Sequence, residues 1–369
     1  AAGTFRPTDP ITRAELINIL SNMVDTLVKE TTTVTKDVSG SLLISAADGA
    51  TLKGIRIGGD LILAPGVTKD VTLVDCVIQG NIRNYGTGEV RFEAPQITPE
   101  STATKPSEVY KPGATLDRTL EYGGKTVPIY RDRPLNVFSD VDFIWTGEEN
   151  ENQRRLEYLG GEFRTRYGID VSSFQGEIDW DAVADDNIDF AMVRVGFRGT
   201  GTGSLNTDKY YEQNIRGAMR AGLETGVYFF AQAVTVEEAI EEADYVISLL
   251  DGLDINGPVA YDWEMHDSTY RVYGTSPEMA TACAVAFCER IKDAGYTPMV
   301  YGGTYVTYMK YDQGALADYL SWYPEYKSEK SEKLCPTLVY HMDYWQYSSK
   351  CSVAGIGGNV DVNLQFIRR

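Results

Sequence analysis

Beyond Tyr167 the chain alternates short apolar runs with longer amphipathic ones. Strand-like runs occupy 167–171, 190–195, 226–230, 258–263, 298–301, 320–323 and 344–347. Between several of them lie stretches with acidic starts and helical apolar spacing, which predicts helices over 208–221, 236–250 and 277–294. This alternation implies a mainly parallel sheet with helices outside it. A span of about 200 residues is near the lower limit for a closed β/α barrel, where catalytic groups sit at the carboxyl ends of strands.

The first 166 residues follow other patterns. Residues 10–29 read as a helix opened by Asp9-Pro10 and Thr12, with Leu16, Ile17, Ile19, Leu20 and Val24 on its apolar side. From 34 to 92 the chain turns to short β-rich runs punctuated by Gly and Asp. A shift of 21 residues lays Thr51-Leu52 on Thr72-Leu73, Ile57 on Ile78, Gly59 on Gly80, Asp60 on Asn81 and Leu61 on Ile82. Such a repeat suggests stacked turns of a small β-solenoid, serving as a spacer or wall-contact module. A small β-sandwich with two similar hairpins is the alternative. Residues 95–112, rich in Pro, Ser, Thr and Glu, read as a linker. Over 113–166, Tyr130, Phe138, Phe143 and Trp145 are too apolar for a free tether, so this segment is expected to pack on a neighbour, with 148–152 as a solvated loop.

Composition narrows the function class. A chain of 369 residues suggests two or three domains. With 43% hydrophobic and 24% charged residues it is an ordinary folded sequence. The net charge of −19 argues against a nucleic-acid partner, which needs a surplus of Lys and Arg. The 24 Tyr and 5 Trp suit sugar stacking or core filling. No apolar run approaches the roughly 20 residues that span a bilayer, so no membrane partner is expected. Ala1-Ala2-Gly3 leads directly into Thr4-Phe5-Arg6-Pro7 with no signal peptide, so a secreted protein would stand here in mature or truncated form. Of the five cysteines, Cys335 and Cys351 could bridge, whereas Cys283 and Cys288, on different faces of one helix, read as buried small hydrophobes. The fifth, Cys76, leaves the count odd, and neither a CxxC pair nor enough His is present for zinc.

Four carboxylates stand where barrel chemistry would place them. Asp170 ends the first strand, Asp262 and Glu264 end 258–264, and Asp361 lies near the chain end. Side chains alternate along a strand, so Asp262 and Glu264 share one face, with a backbone separation of roughly 6.6 Å, and Trp263 points to the other face as core. Two acids in one cleft cannot both ionise freely, so one of them should hold its proton to higher pH, as protonation of a glycosidic oxygen requires. A lone acid would read as a surface charge or a helix cap. A pair inside an apolar strand does not, because burying charges costs several kcal/mol each unless they are paired or used. A divalent-cation site is the competing reading, but the spacing resembles no EF-hand loop, and no metal or other cofactor is expected.

Tyr167-Gly-Ile-Asp-Val-Ser-Ser-Phe-Gln-Gly-Glu-Ile-Asp-Trp180, Phe190-Ala-Met-Val-Arg-Val-Gly-Phe-Arg-Gly199, Gly226-Val-Tyr-Phe-Phe-Ala-Gln232, Asp262-Trp-Glu264, Tyr344-Trp-Gln-Tyr347 and Val360-Asp-Val-Asn363 together resemble glycoside hydrolase family 25. These are lysozymes of bacteria and their phages that cut the β-1,4 bond from N-acetylmuramic acid to N-acetylglucosamine. The resemblance runs through essentially all of 167–369. It implies a small flattened barrel of eight strands with fewer helices than usual, acting on peptidoglycan glycan strands. It also implies Glu264 as general acid/base and Asp262 as the group that orients and stabilises the substrate's own N-acetyl group as nucleophile, with configuration retained. Asp170 and Asp361 match the remaining cleft acids. Tyr228, Tyr301 and Trp345 are candidates to stack on sugars or shape the cleft, with core packing the alternative for each, and Gln346 is a further substrate-binding candidate. Chitinases that use the N-acetyl group carry Asp-x-x-Asp-x-Asp-x-Glu, whereas Val259, Ala260 and Tyr261 precede Asp262 here. His266 and His341 are not required by this mechanism and are expected to be structural or exposed.

Residues 3–15 resemble the second half of a surface-layer homology motif, with Ile-Thr-Arg-Ala-Glu at 11–15. That resemblance implies contact with a secondary cell-wall polymer, with Arg13 as the anchoring candidate, although such motifs usually come in threes. The location expected is secreted or wall-associated in a Gram-positive-type bacterium. A wall-binding or scaffold protein whose barrel has lost activity is the alternative function.

Overall fold

The computed structural model describes residues 24–74, 76–78, 80–93, 104–113, 115–147, 154–328 and 330–369. Two compact units divide the chain, Ala1–Ser101 and Thr102–Arg369. The expected linker and the solvated loop at 148–152 fall partly or wholly outside the described residues, as do Arg13 and the motif around it. The helix expected over 10–29 is corrected where it can be seen: Thr26–Val28 is a strand, paired in parallel with Leu42–Ile44. Thr and Val have stiff β-branched side chains that fit a pleated ladder.

The first unit is a parallel β-solenoid, not a sandwich of hairpins. All of its described strand pairs are parallel. The shift of 21 residues seen in the sequence is a true register, since Thr51 pairs with Thr72, Leu52 with Leu73, Ile57 with Ile78 and Leu61 with Ile82. Neighbouring rungs differ in length, as in Leu42 with Leu61 and Val71 with Val90, which is why the repeat is only partly visible. Leu42, Leu52, Ile57 and Leu61 are fully buried in the coil's interior. At the corners, side chains of one rung hold the backbone of the next. Asp60 Oδ1 accepts from the Asn81 amide at 2.8 Å, and Asp70 Oδ1 from that of Glu89 at 3.0 Å. Gly49 turns with φ of 75°, and a Cβ there would meet Asp70 O at 2.0 Å, so no other residue fits.

In the second unit eight strands close into a barrel: β1 Phe163–Val171, β2 Phe190–Arg198, β3 Glu224–Ala231, β4 Val259–Trp263, β5 Pro298–Tyr301, β6 Leu320–Pro324, β7 Tyr344–Cys351 and β8 Val360–Arg368. The first seven pair in parallel, while β8 runs antiparallel to both β7 and β1 and closes the ring. A short strand, Leu205–Thr207, forms a hairpin on β2. The helices α1 Trp180–Asp185, α2 Tyr211–Arg220, α3 Val236–Leu249, α4 Pro277–Asp293 and α5 Thr304–Met309 lie in the connections. Alternation sets the two faces. Phe190, Met192, Ala260, Met299, Tyr301, Trp322 and Tyr344 fill the inside, whereas Tyr261 and Trp263 face out into the layer beneath the helices. The small side chains of α4, including Ala280, Ala282, Cys283, Ala284 and Cys288, let it lie close on the strands, with the Phe287 ring 4.8 Å from Tyr261.

Strands, not helices, cover part of the barrel wall. Phe143–Thr146 pairs with Arg155–Tyr158, and this hairpin lies over the outward faces of β7, β8 and β1. Phe138 stands 4.4 Å from Phe366, and Phe143 stands 5.3 Å from Trp345. The aromatic residues of 113–166 therefore pack as expected, on the barrel. The Cys335–Cys351 bridge is corrected: both thiols are free, Cys351 Sγ instead facing Arg154 O at 3.8 Å. Cys283 and Cys288 are fully buried on α4.

Candidate active site

The carboxyl ends of the parallel strands and the amino end of β8 form one mouth. Asp170, near the end of β1, lies directly opposite Asp361, near the start of β8. Asp262 is the penultimate residue of β4, and Glu264 follows its last residue. All four acids expected from the sequence are thereby brought to the mouth. Asp170 and Asp262 are each 6% exposed, whereas the Glu264 side chain is a quarter exposed and lines a cleft of about 510 Å³ with His266, Tyr301, Tyr305 and Tyr326.

Each acid has different supports. Asp170 Oδ2 accepts from Gln346 Nε2 at 2.9 Å and Asn363 Nδ2 at 2.8 Å, and Trp322 Nε1 in turn fixes Asn363 through its Oδ1 at 2.8 Å. Burial pushes the Asp170 carboxyl well above the ordinary range, the charge of Asp361 adds to the rise, and the two amide donors oppose it. Burial likewise raises Asp262 well above that range, reinforced by the negative charges of Glu264 and Asp170 and opposed by Arg194. Asp361 is pushed up to about 6, by burial and by the charge of Glu264. Asp262 Oδ1 is buried without a hydrogen-bond partner among the described residues.

The remaining candidates divide. Tyr301 is almost buried in the cleft floor and donates its hydroxyl to Gln346 Oε1 at 3.2 Å. Tyr228 packs edge-on against Trp322 at 5.8 Å, and burial holds its phenol protonated, with the charge of Asp170 adding. Both stand inside the barrel, and of the two Tyr301 lines the cleft. Gln346 is 4% exposed, and its carboxamide is tied to Asp170, Tyr301 and Tyr326, so it braces an acid. Trp345 is a correction. It points outward, is fully buried under the strand hairpin and donates Nε1 to Glu325 O, so no sugar can reach its ring. Alternation with Tyr344, which faces the barrel interior, dictates this. Trp263 is core, as expected, with Nε1 donating to Ala233 O.

Sequence reasoning missed several parts. Arg194 alternates inward with Phe190 and Met192 and pairs with the buried Asp208 at 2.8 Å, which brings a fixed positive charge near Asp262. Asn363 lies two residues beyond Asp361 on β8, a spacing that could have revealed its inward direction. His266 Nε2 lies 3.0 Å from Glu264 Oε2, an arrangement no strand or helix period signals. His341 stacks on Phe163 at 4.9 Å.

Comparison with known proteins follows the same span. The model of "Glycosyl hydrolases family 25" matches residues 169–356, just over half of the chain. An autolytic lysozyme of Clostridium acetobutylicum is 26% identical over 197 residues, covering 53% of this chain and 54% of the relative. Lysozyme M1 of Streptomyces globisporus is 27% identical over 201 residues, covering 53% and 66%. Thus the chain matches only about half the length of the first of these. Among solved structures, the Clostridium perfringens spore cortex lytic enzyme SleM aligns with a TM-score of 0.47 at 23% identity, over 55% of this chain and 67% of that one. The matched residues run from the end of β1 through β7, with Asp170, Asp262 and Glu264 among them, and the chain belongs to the glycosyl hydrolases of family 25.

Proposed function

We propose that this chain is a muramidase, cutting the β-1,4 bond between N-acetylmuramic acid and N-acetylglucosamine with Glu264 as acid/base. The single observation that carries the mechanism is Asp262 Oδ1, a buried acceptor without a partner among the described residues, beside the partly exposed carboxyl of Glu264. A buried unsatisfied acceptor costs free energy of about 1–3 kcal/mol. The acetamido N–H of a substrate sugar would satisfy it and be held there. So held, the acetamido oxygen would attack the anomeric carbon as Glu264 gives its proton to the leaving oxygen. Water, deprotonated by Glu264, would then open the cyclic intermediate with configuration retained. Asp170 and Asp361 shape the field at the mouth. Because peptidoglycan lies outside the membrane, the site of action on this reading is the bacterial cell wall; no described helix is long and apolar enough to cross a membrane.

Reduction of digestion products with borohydride tests this reading. Muramitol at the new ends is the expected result, and glucosaminitol or no new end would overturn it.

A further inference from the structure

The β3 and β4 ladder stops one residue short of the acid/base. Its last pair is Ala231 with Trp263, so Gln232 and Glu264 are the next residues along and make no backbone pair. The Gln232 side chain takes over. Its Nε2 donates to the Glu264 carbonyl at 2.7 Å, and the residue is fully buried. Gln232 is itself held at both backbone groups by charged side chains. Its amide donates to Glu242 Oε1 at 3.0 Å, and its carbonyl accepts from Arg271 Nη1 at 3.1 Å.

These charges belong to a network that ties α3 to the strand ends. Glu242 on α3 is fully buried, and Arg198 at the end of β2 donates Nε to its Oε1 at 2.7 Å. Arg198 also reaches Glu241 Oε2 at 2.8 Å and the Gly203 and Glu238 carbonyls. Arg271 grips both oxygens of Glu238, at 2.7 and 3.1 Å. A buried ion pair is weak evidence for stability, since a well-packed apolar pair of similar volume is often as stable. What an apolar pair could not do is orient the Gln232 amide.

We propose that Gln232 is a positioning residue for Glu264, held in one orientation by the buried Arg198–Glu242 pair. It extends the sheet by one side-chain rung, so the acid/base stands on a rigid edge although it lies beyond the last strand residue. Burial pushes Glu242 up to about 7, with the charge of Arg198 opposing. This inference rests on Glu264 being the acid/base. A displacement of about 1 Å at a reacting group can cost on the order of a hundredfold in rate.

The full chain carrying Gln232→Met keeps the volume but loses the donor. The expected result is a kcat lower by about tenfold to a hundredfold with KM within about twofold, an unchanged melting profile, and faster amide exchange across 264–270. Gln232→Glu can donate to the carbonyl only while protonated, so its rate is expected to approach the parent's at low pH and fall away as pH rises. If Gln232→Glu does not fold, Gln232→Met decides alone. Parent kcat per folded molecule in Gln232→Met, or a loss that merely follows the unfolded fraction, overturns the proposal. Should the parent chain release no reducing ends, the functional reading fails instead, and unchanged exchange across 264–270 in Gln232→Met would still overturn the positioning role.

Discussion

His266 Nε2 lies 3.0 Å from Glu264 Oε2, on a side chain that is 66% exposed at the lip of the cleft. An exposed partner of this kind contributes little, because water and salt screen it. His266→Ala is therefore expected to lower kcat/KM by less than about tenfold, a tuning effect and not the loss of a chemical group. Steady-state kinetics on soluble glycan fragments checks this, and a loss above about a thousandfold would make His266 part of the reaction itself.

Asp361 should give a pH-dependent stability with a definite sign. Its carboxyl is raised from 3.8 to about 6 in the folded chain. The folded state therefore keeps the proton to higher pH than the unfolded state does. Stability is full below about pH 4, declines as pH rises through about 6, and stays lower above. Asp361→Asn is expected to gain up to about 2 kcal/mol at pH 7.5, with the gain shrinking towards pH 4. Urea unfolding across that range is the measurement.

In the solenoid, Leu52 is fully buried and pairs in register with Leu73. Leu52→Ala should destabilise this unit by about 2–5 kcal/mol, because the coil can relax only partly into the space left. Hydrogen exchange over 24–93 is expected to quicken in the full chain while hydrolysis of wall fragments stays at the parent level.

The cysteines offer a covalent check. Cys283 and Cys288 are buried, and burial pushes both thiols well above the usual range, so the native chain should protect them from a thiol reagent. Cys283, Cys288, Cys335 and Cys351 should all react after guanidine is added without reductant, because none of these four is bridged. Reaction of only Cys283 and Cys288 among these four would restore the Cys335–Cys351 disulfide.

How much of this was legible in the sequence depended on how local each cause was. Runs such as 190–195 and 298–301 announced themselves, since buried parallel strands read as continuous apolar segments. The acids stood out because they interrupt such strands. The antiparallel β8 was harder to see: its inward side alternates Asp361 with Asn363, so the run is not apolar. Trp345 was misplaced because only alternation with Tyr344 tells its direction, and the hairpin that covers it begins about 200 residues earlier. Likewise, Gln232 closes the 226–232 motif but its role gave no signal, since its partners on α3 and after β4 meet only in the closed barrel. The solenoid repeat was visible through Thr51-Leu52 and Thr72-Leu73, and unequal rungs hid the rest.

The central claim is that the Asp262 and Glu264 pair performs the hydrolysis, and Glu264→Gln tests it most directly. With the melting temperature within a few degrees of the parent, release of reducing ends from purified peptidoglycan is expected to fall by at least about a thousandfold, because the amide cannot give or take the proton. Turnover near the parent rate in a folded Glu264→Gln chain would contradict the account.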